Sequence, residues 1–258
     1  MSLLSSLSIV IPTFNRQEYV LRTMRYWSDY DVIVHVFDGT QVPIVDHLIS
    51  VMGSNINYHH MPCCLMERLN KSIEVVYTKY SKMMADDEFF IPSALESCIE
   101  EMNNNEEIVS CVGSAITFSV VDKEVVSSEI YHKLREHSLM QDAPSARSIF
   151  HMNNYCPATL YSVMRTDVWK KSMRSLSYKN YEVFVKSMGE LQFEITASYL
   201  GKAKIINELM WLRSFENEPW RIQEGESSVP IQDFWYKESN KSIRDEIIDT
   251  IVQSIASE

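Results

Sequence analysis

Apolar positions along the chain fall into two alternating rhythms. Leu7-Ser8-Ile9-Val10-Ile11 is a short run rich in β-branched residues and closed by Pro12, the pattern of a strand buried on both faces. Tyr19, Val20, Thr23, Met24 and Trp27 then recur at helical spacing, with Asn15 ahead of them as the expected N-cap. A second apolar run from Val32 to Phe37 stops at Asp38-Gly39, a turn signal. Strand, helix and strand in about thirty residues is the size of one right-handed βαβ unit.

The rhythm continues. A short helix is expected over 42–52 and a third strand over 57–61, ending at Pro62. Leu65, Leu69, Ile73, Val76 and Tyr80 form the stripe of a longer helix, and a brief strand over 81–85 runs into Asp86-Asp87-Glu88. A helix over 93–102 and a strand over 108–112 follow. This half therefore predicts an α/β fold with a doubly wound, mostly parallel sheet flanked by helices. In such sheets ligands bind at the carboxyl ends of the strands, and three polar clusters fall there: residues 12–16, Asp38-Gly39 and Asp86-Asp87-Glu88.

Beyond residue 115 the pattern loosens. It predicts a polar helix over 129–141, a loop over 142–154 and a strand over 158–164. A helix then opens at Thr166-Asp167, and a strong helix over 181–200 is closed by Gly201. An extended stretch over 205–212 and a C-terminal helix with Ile243, Ile247, Ile251 and Ile255 on one stripe complete the chain. That stripe reads as core packing, with a homodimer contact as the alternative. No linker separates two halves, so one domain over 1–258 is expected, with a ligand-binding half to about 115 and a less regular half after it.

Composition narrows the functional classes. The net charge of −11 over 258 residues argues against nucleic-acid binding and against electrostatic attachment to an anionic membrane. Five cysteines with no CxxC spacing read as reduced thiols in a cytoplasmic protein, and the N-terminal apolar run is too short and too broken for a leader or a span.

The candidate chemistry centres on Asp86-Asp87-Glu88. Adjacent carboxylates flanked by Met83, Met84, Ala85, Phe89 and Phe90 need compensation near a core edge, and a hard divalent cation such as Mg²⁺ or Mn²⁺ supplies it. The alternative is an acidic approach to the helix that starts at Pro92. Residues 12–16 place backbone N–H groups at a helix start without the glycines of a phosphate loop, and Asp38 can accept from a base or ribose or simply serve its turn.

Taken in order, Ser8 to Arg16, Phe37-Asp38-Gly39 and Ala85 to Pro92 resemble the GT-A glycosyltransferases of family 2. The resemblance covers about residues 7–115. It implies transfer of a sugar from a nucleoside-diphosphate sugar, UDP-linked first of all, to a hydroxyl of a glycan or lipid-linked acceptor, with inversion and a divalent metal. It assigns Pro12, Thr13, Asn15, Arg16, Asp38, Asp86 and Asp87 to the nucleotide sugar, Asp86 and Glu88 to Mn²⁺ or Mg²⁺, and Arg213 to the diphosphate. Glu88 replaces the usual aspartate, and Phe37-Asp38-Gly39 replaces the commoner double-acid form. For the catalytic base it implies a carboxylate near the start of the helix before Gly201-Lys202: Glu190 first, Glu194 second and Asp142 third, against the plain reading of both glutamates as solvent-facing. The rival functions are a non-catalytic sugar- or nucleotide-binding module on the same fold and, lacking its glycine-rich loop, a sugar nucleotidyltransferase. Aromatic residues near the end (Trp211, Phe215, Trp220, Phe234, Trp235 and Tyr236) suit sugar stacking or core packing.

Overall fold

The computed structural model describes residues 2–176, 184–185, 188–215 and 228–257, the side chains of 184–185 and 228–229 excepted. Parallel strands β1 (Leu7–Thr13), β2 (Ile33–Asp38), β3 (Ile56–His60) and β4 (Tyr80–Met83) form one side of the main sheet in the order β3-β2-β1-β4. Helices α1 (Gln17–Trp27), α2 (Asp46–Ser50) and α3 (Leu65–Val75) connect them. β1 is buried along nearly its whole length, as its unbroken apolar run requires. α1 turns Val20, Thr23, Met24 and Trp27 inward. Its cap position is Arg16 rather than the expected Asn15. Asn15 instead adopts a left-handed backbone (φ 54°), which asparagine tolerates better than most residues.

The other side of the sheet carries the corrections. After β5 (Phe89–Phe90) and α4 (Pro92–Asn104) comes β6 (Ile108–Val121), far longer than the run that predicted it. It turns at Asp122-Lys123, both with positive φ, into β7 (Glu124–Ile130), which takes up the first two residues of the helix expected over 129–141. β7 is almost wholly exposed, so no apolar alternation marked it. Residues 132–136 form a 3₁₀ turn, and the expected loop is α5 (Pro144–Asn153), begun by a proline at its first turn. The expected strand 158–164 is a 3₁₀ turn followed by short β8 (Val163–Arg165), which leads into α6 (Thr166–Arg174). The helix expected over 181–200 is strand β9 at Phe184–Val185 and helix α7 from Met188 to Leu200, with 181–183 and 186–187 outside the described residues. β10 (Lys202–Ser214), β11 (Ser228–Val229), α8 (Ile231–Trp235) and α9 (Lys241–Ala256) follow.

The main sheet continues β4-β8-β6-β10-β5. β8 runs antiparallel to both β4 and β6, β10 is parallel to β6, and β5 is antiparallel to β10. The sheet is thus mixed, and late strands complete it. On α9, Ile247 is buried against Met188 and Phe234, with Ile243 and Ile251 packed at its sides, so the isoleucine stripe is core.

Candidate active site

The carboxyl ends of β1 and β2 form one wall of the site. Thr13 ends β1, and its hydroxyl donates to Asp86 Oδ2 at 2.7 Å. Pro12 lies beside Phe37 in the register of the two strands. Asp38, with no exposed surface, accepts from the Tyr58 hydroxyl (2.7 Å), the Gln17 side-chain amide (2.8 Å) and Thr40 N–H (2.8 Å). A carboxylate so enclosed shapes the loop after β2. The Asn15 backbone N–H joins the same loop through Thr40 Oγ1 (2.9 Å). Beneath lies Arg68 of α3, a buried guanidinium donating to the carbonyls of Thr13 and Phe37. A Cβ on Gly39 would come within 2.6 Å of its Cζ, so glycine is what lets the arginine lie there.

Asp86-Asp87-Glu88 follows β4 and is buried despite its three charges. Arg16 of the β1–α1 turn lies between the first two, at 3.2 Å from Asp86 Oδ1 and in direct contact with Asp87 Oδ2. Thr23 and Arg22 bind the carbonyls of Asp86 and Asp87, which fixes the loop to α1. Glu88 faces β10. Its Oε2 accepts from the Trp211 indole N–H at 2.8 Å, and its Oε1 meets Arg213 Nε at 3.8 Å. Burial pushes the Asp86 carboxyl up to about 6 against the opposing pull of Arg16, and pushes that of Glu88 up to about 7 against Trp211 and Arg213. A positive group entering the loop would favour the ionised forms of both.

Among the described residues no three His, Cys, Asp or Glu side chains converge as a self-contained metal cage. Mg²⁺ and Mn²⁺ do not require one where phosphate oxygens complete the shell. The donor set fits a cation held by Glu88 and by ligand oxygens. Asp86 would be its other protein ligand; the oxygens of both carboxylates also meet protein groups, Thr13 and Arg16 at Asp86 and Trp211 and Arg213 at Glu88.

The opposite wall comes from the second half of the chain. Trp211, fully buried, stacks with Phe90 (5.9 Å between centroids) and Tyr131 (5.4 Å) and meets Tyr161 at a tilt (4.7 Å). Tyr131 has a left-handed backbone (φ 58°), unusual for a bulky residue, and its hydroxyl contacts the Arg213 guanidinium. Glu190, in the first turn of α7, accepts from the Tyr155 hydroxyl at 2.5 Å. Tyr131 and Tyr161 both feel the charges of Glu88, Arg213 and Glu190, which places these groups in one electrostatic neighbourhood.

The two other base candidates are placed elsewhere. Glu194 is fully buried and accepts from Leu160 N–H (3.0 Å) and His151 Nε2 (2.7 Å), so both its oxygens are engaged in the interior. Asp142 pairs with Lys202 (2.8 Å) at the start of β10, whereas Arg213 lies near that strand's end. The structure thus brings Thr13, Arg16, Asp86, Asp87, Glu88, Arg213 and Glu190 to one end of the sheet. Sequence reasoning missed Gln17, Tyr58, Arg68, Tyr131 and Tyr155. The buried guanidinium of Arg68 carried no signal, since its position on α3 reads as an ordinary surface residue. Of the aromatic set, Trp211 and Phe234 are core and Tyr236 is exposed, while Trp220 lies outside the described residues.

The sequence model described as Glycosyl transferase family 2 matches residues 8–156. No curated protein matches the sequence. Among solved structures the chain is similar to S. aureus TarS 1-349 in complex with UDP-GlcNAc, with a TM-score of 0.63, 12% identity, and 96% of this chain and 66% of that one covered. It is also similar to S. aureus TarS 1-349 (TM-score 0.58, 12% identity, 81% and 60% covered) and to S. aureus TarS (0.58, 11%, 81% and 36%). The chain therefore spans between 36% and 66% of the length of these solved chains. At such identity the likeness is one of fold, the GT-A arrangement of a central sheet flanked by helices. With the order of β1, β2 and the acidic loop in place and more than half of its length matched, the chain belongs to glycosyl transferase family 2.

Proposed function

We propose that the protein transfers a sugar from a nucleoside-diphosphate sugar, a UDP-sugar before others, to a hydroxyl of a glycan or lipid-linked acceptor, with inversion. The observation that carries this reading is the convergence of the Thr13–Arg16–Asp86 wall, the Glu88–Arg213 pair and Glu190 on one end of the sheet. The similarity in fold to a TarS chain that holds UDP-GlcNAc supports the donor class. Free cysteines, of which Cys98, Cys111 and Cys156 are buried, support a reducing compartment such as the cytoplasm. No helix among the described residues is long and apolar enough to cross a membrane.

In this scheme the β1–α1 turn and the loop held by Asp38 receive the nucleoside. Arg16 and Arg213 face the diphosphate with positive charge. A divalent cation at Glu88 would act as a Lewis acid on the leaving diphosphate. Glu190 takes the proton from the acceptor hydroxyl while its oxygen attacks the anomeric carbon, and the bond to the diphosphate breaks on the opposite side. The aromatic wall around Trp211 keeps the reacting centre dry, which matters because water competes as an acceptor.

Titration calorimetry of UDP, GDP, CDP and dTDP, each with and without Mn²⁺, tests the donor assignment on wild type, Asp86→Ala and Glu88→Ala. Tight binding of one nucleotide that weakens without Mn²⁺ and in Glu88→Ala supports it. Equal, metal-indifferent binding of all four removes the cation from the scheme, and no binding removes the donor site.

A further inference from the structure

Tyr155 stands just beyond α5, one residue before the end of the family match, and its hydroxyl donates to Glu190 Oε1 at 2.5 Å. Its ring meets the His151 ring edge-on, with centroids 5.8 Å apart and planes at 61°. His151 has no exposed surface and is fixed on both sides, by His137 (2.6 Å) and by Glu194 (2.7 Å). The phenol therefore rests against an immobile neighbour. Glu194 lies one helical turn beyond Glu190, on the same side of α7, and accepts from Leu160 N–H. Both glutamates are thus tied to residues 151–160, the outer one through a hydroxyl at the site and the inner one through buried groups.

A carboxylate on the first turn of a helix has rotational freedom that a base acting on one acceptor hydroxyl must lose. Burial, and then the hydrogen bond to Glu190, push the Tyr155 hydroxyl far above its ordinary range, so it stays a donor wherever the protein works. We propose that Tyr155 is a positioning residue for Glu190, holding its carboxylate in one orientation for removal of the acceptor proton. This rests on the assignment of Glu190 as the base. The hydroxyl keeps its own proton throughout, and the proton that moves is the acceptor's, from its oxygen to Glu190.

The same geometry fixes the sign of the effect. A hydrogen bond donated to a carboxylate favours the ionised form, so its loss makes Glu190 titrate at higher pH while its orientation loosens.

The test compares Tyr155→Phe, which keeps the ring against His151, with Glu190→Gln and the double variant. One readout is UDP release from UDP-GlcNAc with Mn²⁺ and water as acceptor, followed against pH. The other is ¹³C NMR of the Glu190 carboxyl, assigned by its loss in Glu190→Gln, which needs no turnover. Tyr155→Phe should lower kcat about 10- to 100-fold with KM unchanged. The acid limb of the rate profile and the Glu190 carboxyl titration should both move to higher pH, and Tyr155→Phe should add little on top of Glu190→Gln. An unmoved carboxyl titration, or a fall in affinity with kcat intact, overturns the proposal. Glu190→Gln releasing UDP at the wild-type rate would instead remove Glu190 as the base, a distinct result because the Tyr155-dependent carboxyl shift would persist.

Discussion

Asp38 illustrates how one buried carboxylate can order the loop that follows a strand. Its carboxylate gathers donors from β3, α1 and the following loop, which is a demanding arrangement because every donor depends on the same two oxygens. Asp38→Ala should cost about 3 kcal/mol of stability, since it strands several buried donors at once, and urea denaturation measures it. Gly39→Ala should lower UDP affinity through a displaced Arg68, with a smaller loss of stability. The two glutamates of α7 should part company under the same isosteric change. Glu190→Gln is expected to reduce turnover about 10²- to 10⁴-fold with UDP binding retained, as for loss of a general base. Glu194→Gln is expected to lower the melting temperature first, because an amide cannot accept as a carboxylate does from His151 and Leu160.

Between elements, buried histidines make the packing sensitive to acid. His137 follows the 3₁₀ turn at 132–136, pairs with His151 of α5, and through it reaches Glu194 of α7. Burial, then the charge of His151, lowers His137 from 6.5 to about 4, and burial with His59 lowers His35 of β2 in the same way. Both are neutral when folded and take up protons more readily when unfolded. Their contribution is complete above about pH 6.5 and is lost as pH falls towards about 4. The urea midpoint should drop over that window, and His137→Gln should flatten the drop by about 1–2 kcal/mol. None of this was legible in the sequence, where the segment holding His137 read as a polar helix and that holding His151 as a loop. The first half was legible because β1 and β2 are buried along nearly their whole length and so write apolar runs, which place the shorter β3 and β4 by alternation with the helices. β7 is solvated on both faces and writes none. Among candidate residues, those defined by position at a strand end were found. Those defined by reach, such as Arg68 and Tyr155, were not, because reach depends on partners distant in the chain.

The whole molecule is held together by strands that arrive late. β8 is the strand between β4 and β6, and β10 is the strand between β6 and β5, so residues 8–156, which carry the family match, lack two internal members of their own sheet. A fragment ending at 156 is expected to lack a cooperative unfolding transition and to bind dyes that report exposed apolar surface, by calorimetry and fluorescence respectively. Glu88 shows the dependence most directly, since its indole partner is 123 residues away along the chain. During synthesis at about 5–20 residues per second, the acidic loop would wait some 6–25 s for Trp211 to be made. Through that interval β4 and β6 have open edges able to pair with other chains. Yield in a heterologous host should therefore follow translation speed and chaperone supply more closely than it follows the stability of the finished protein.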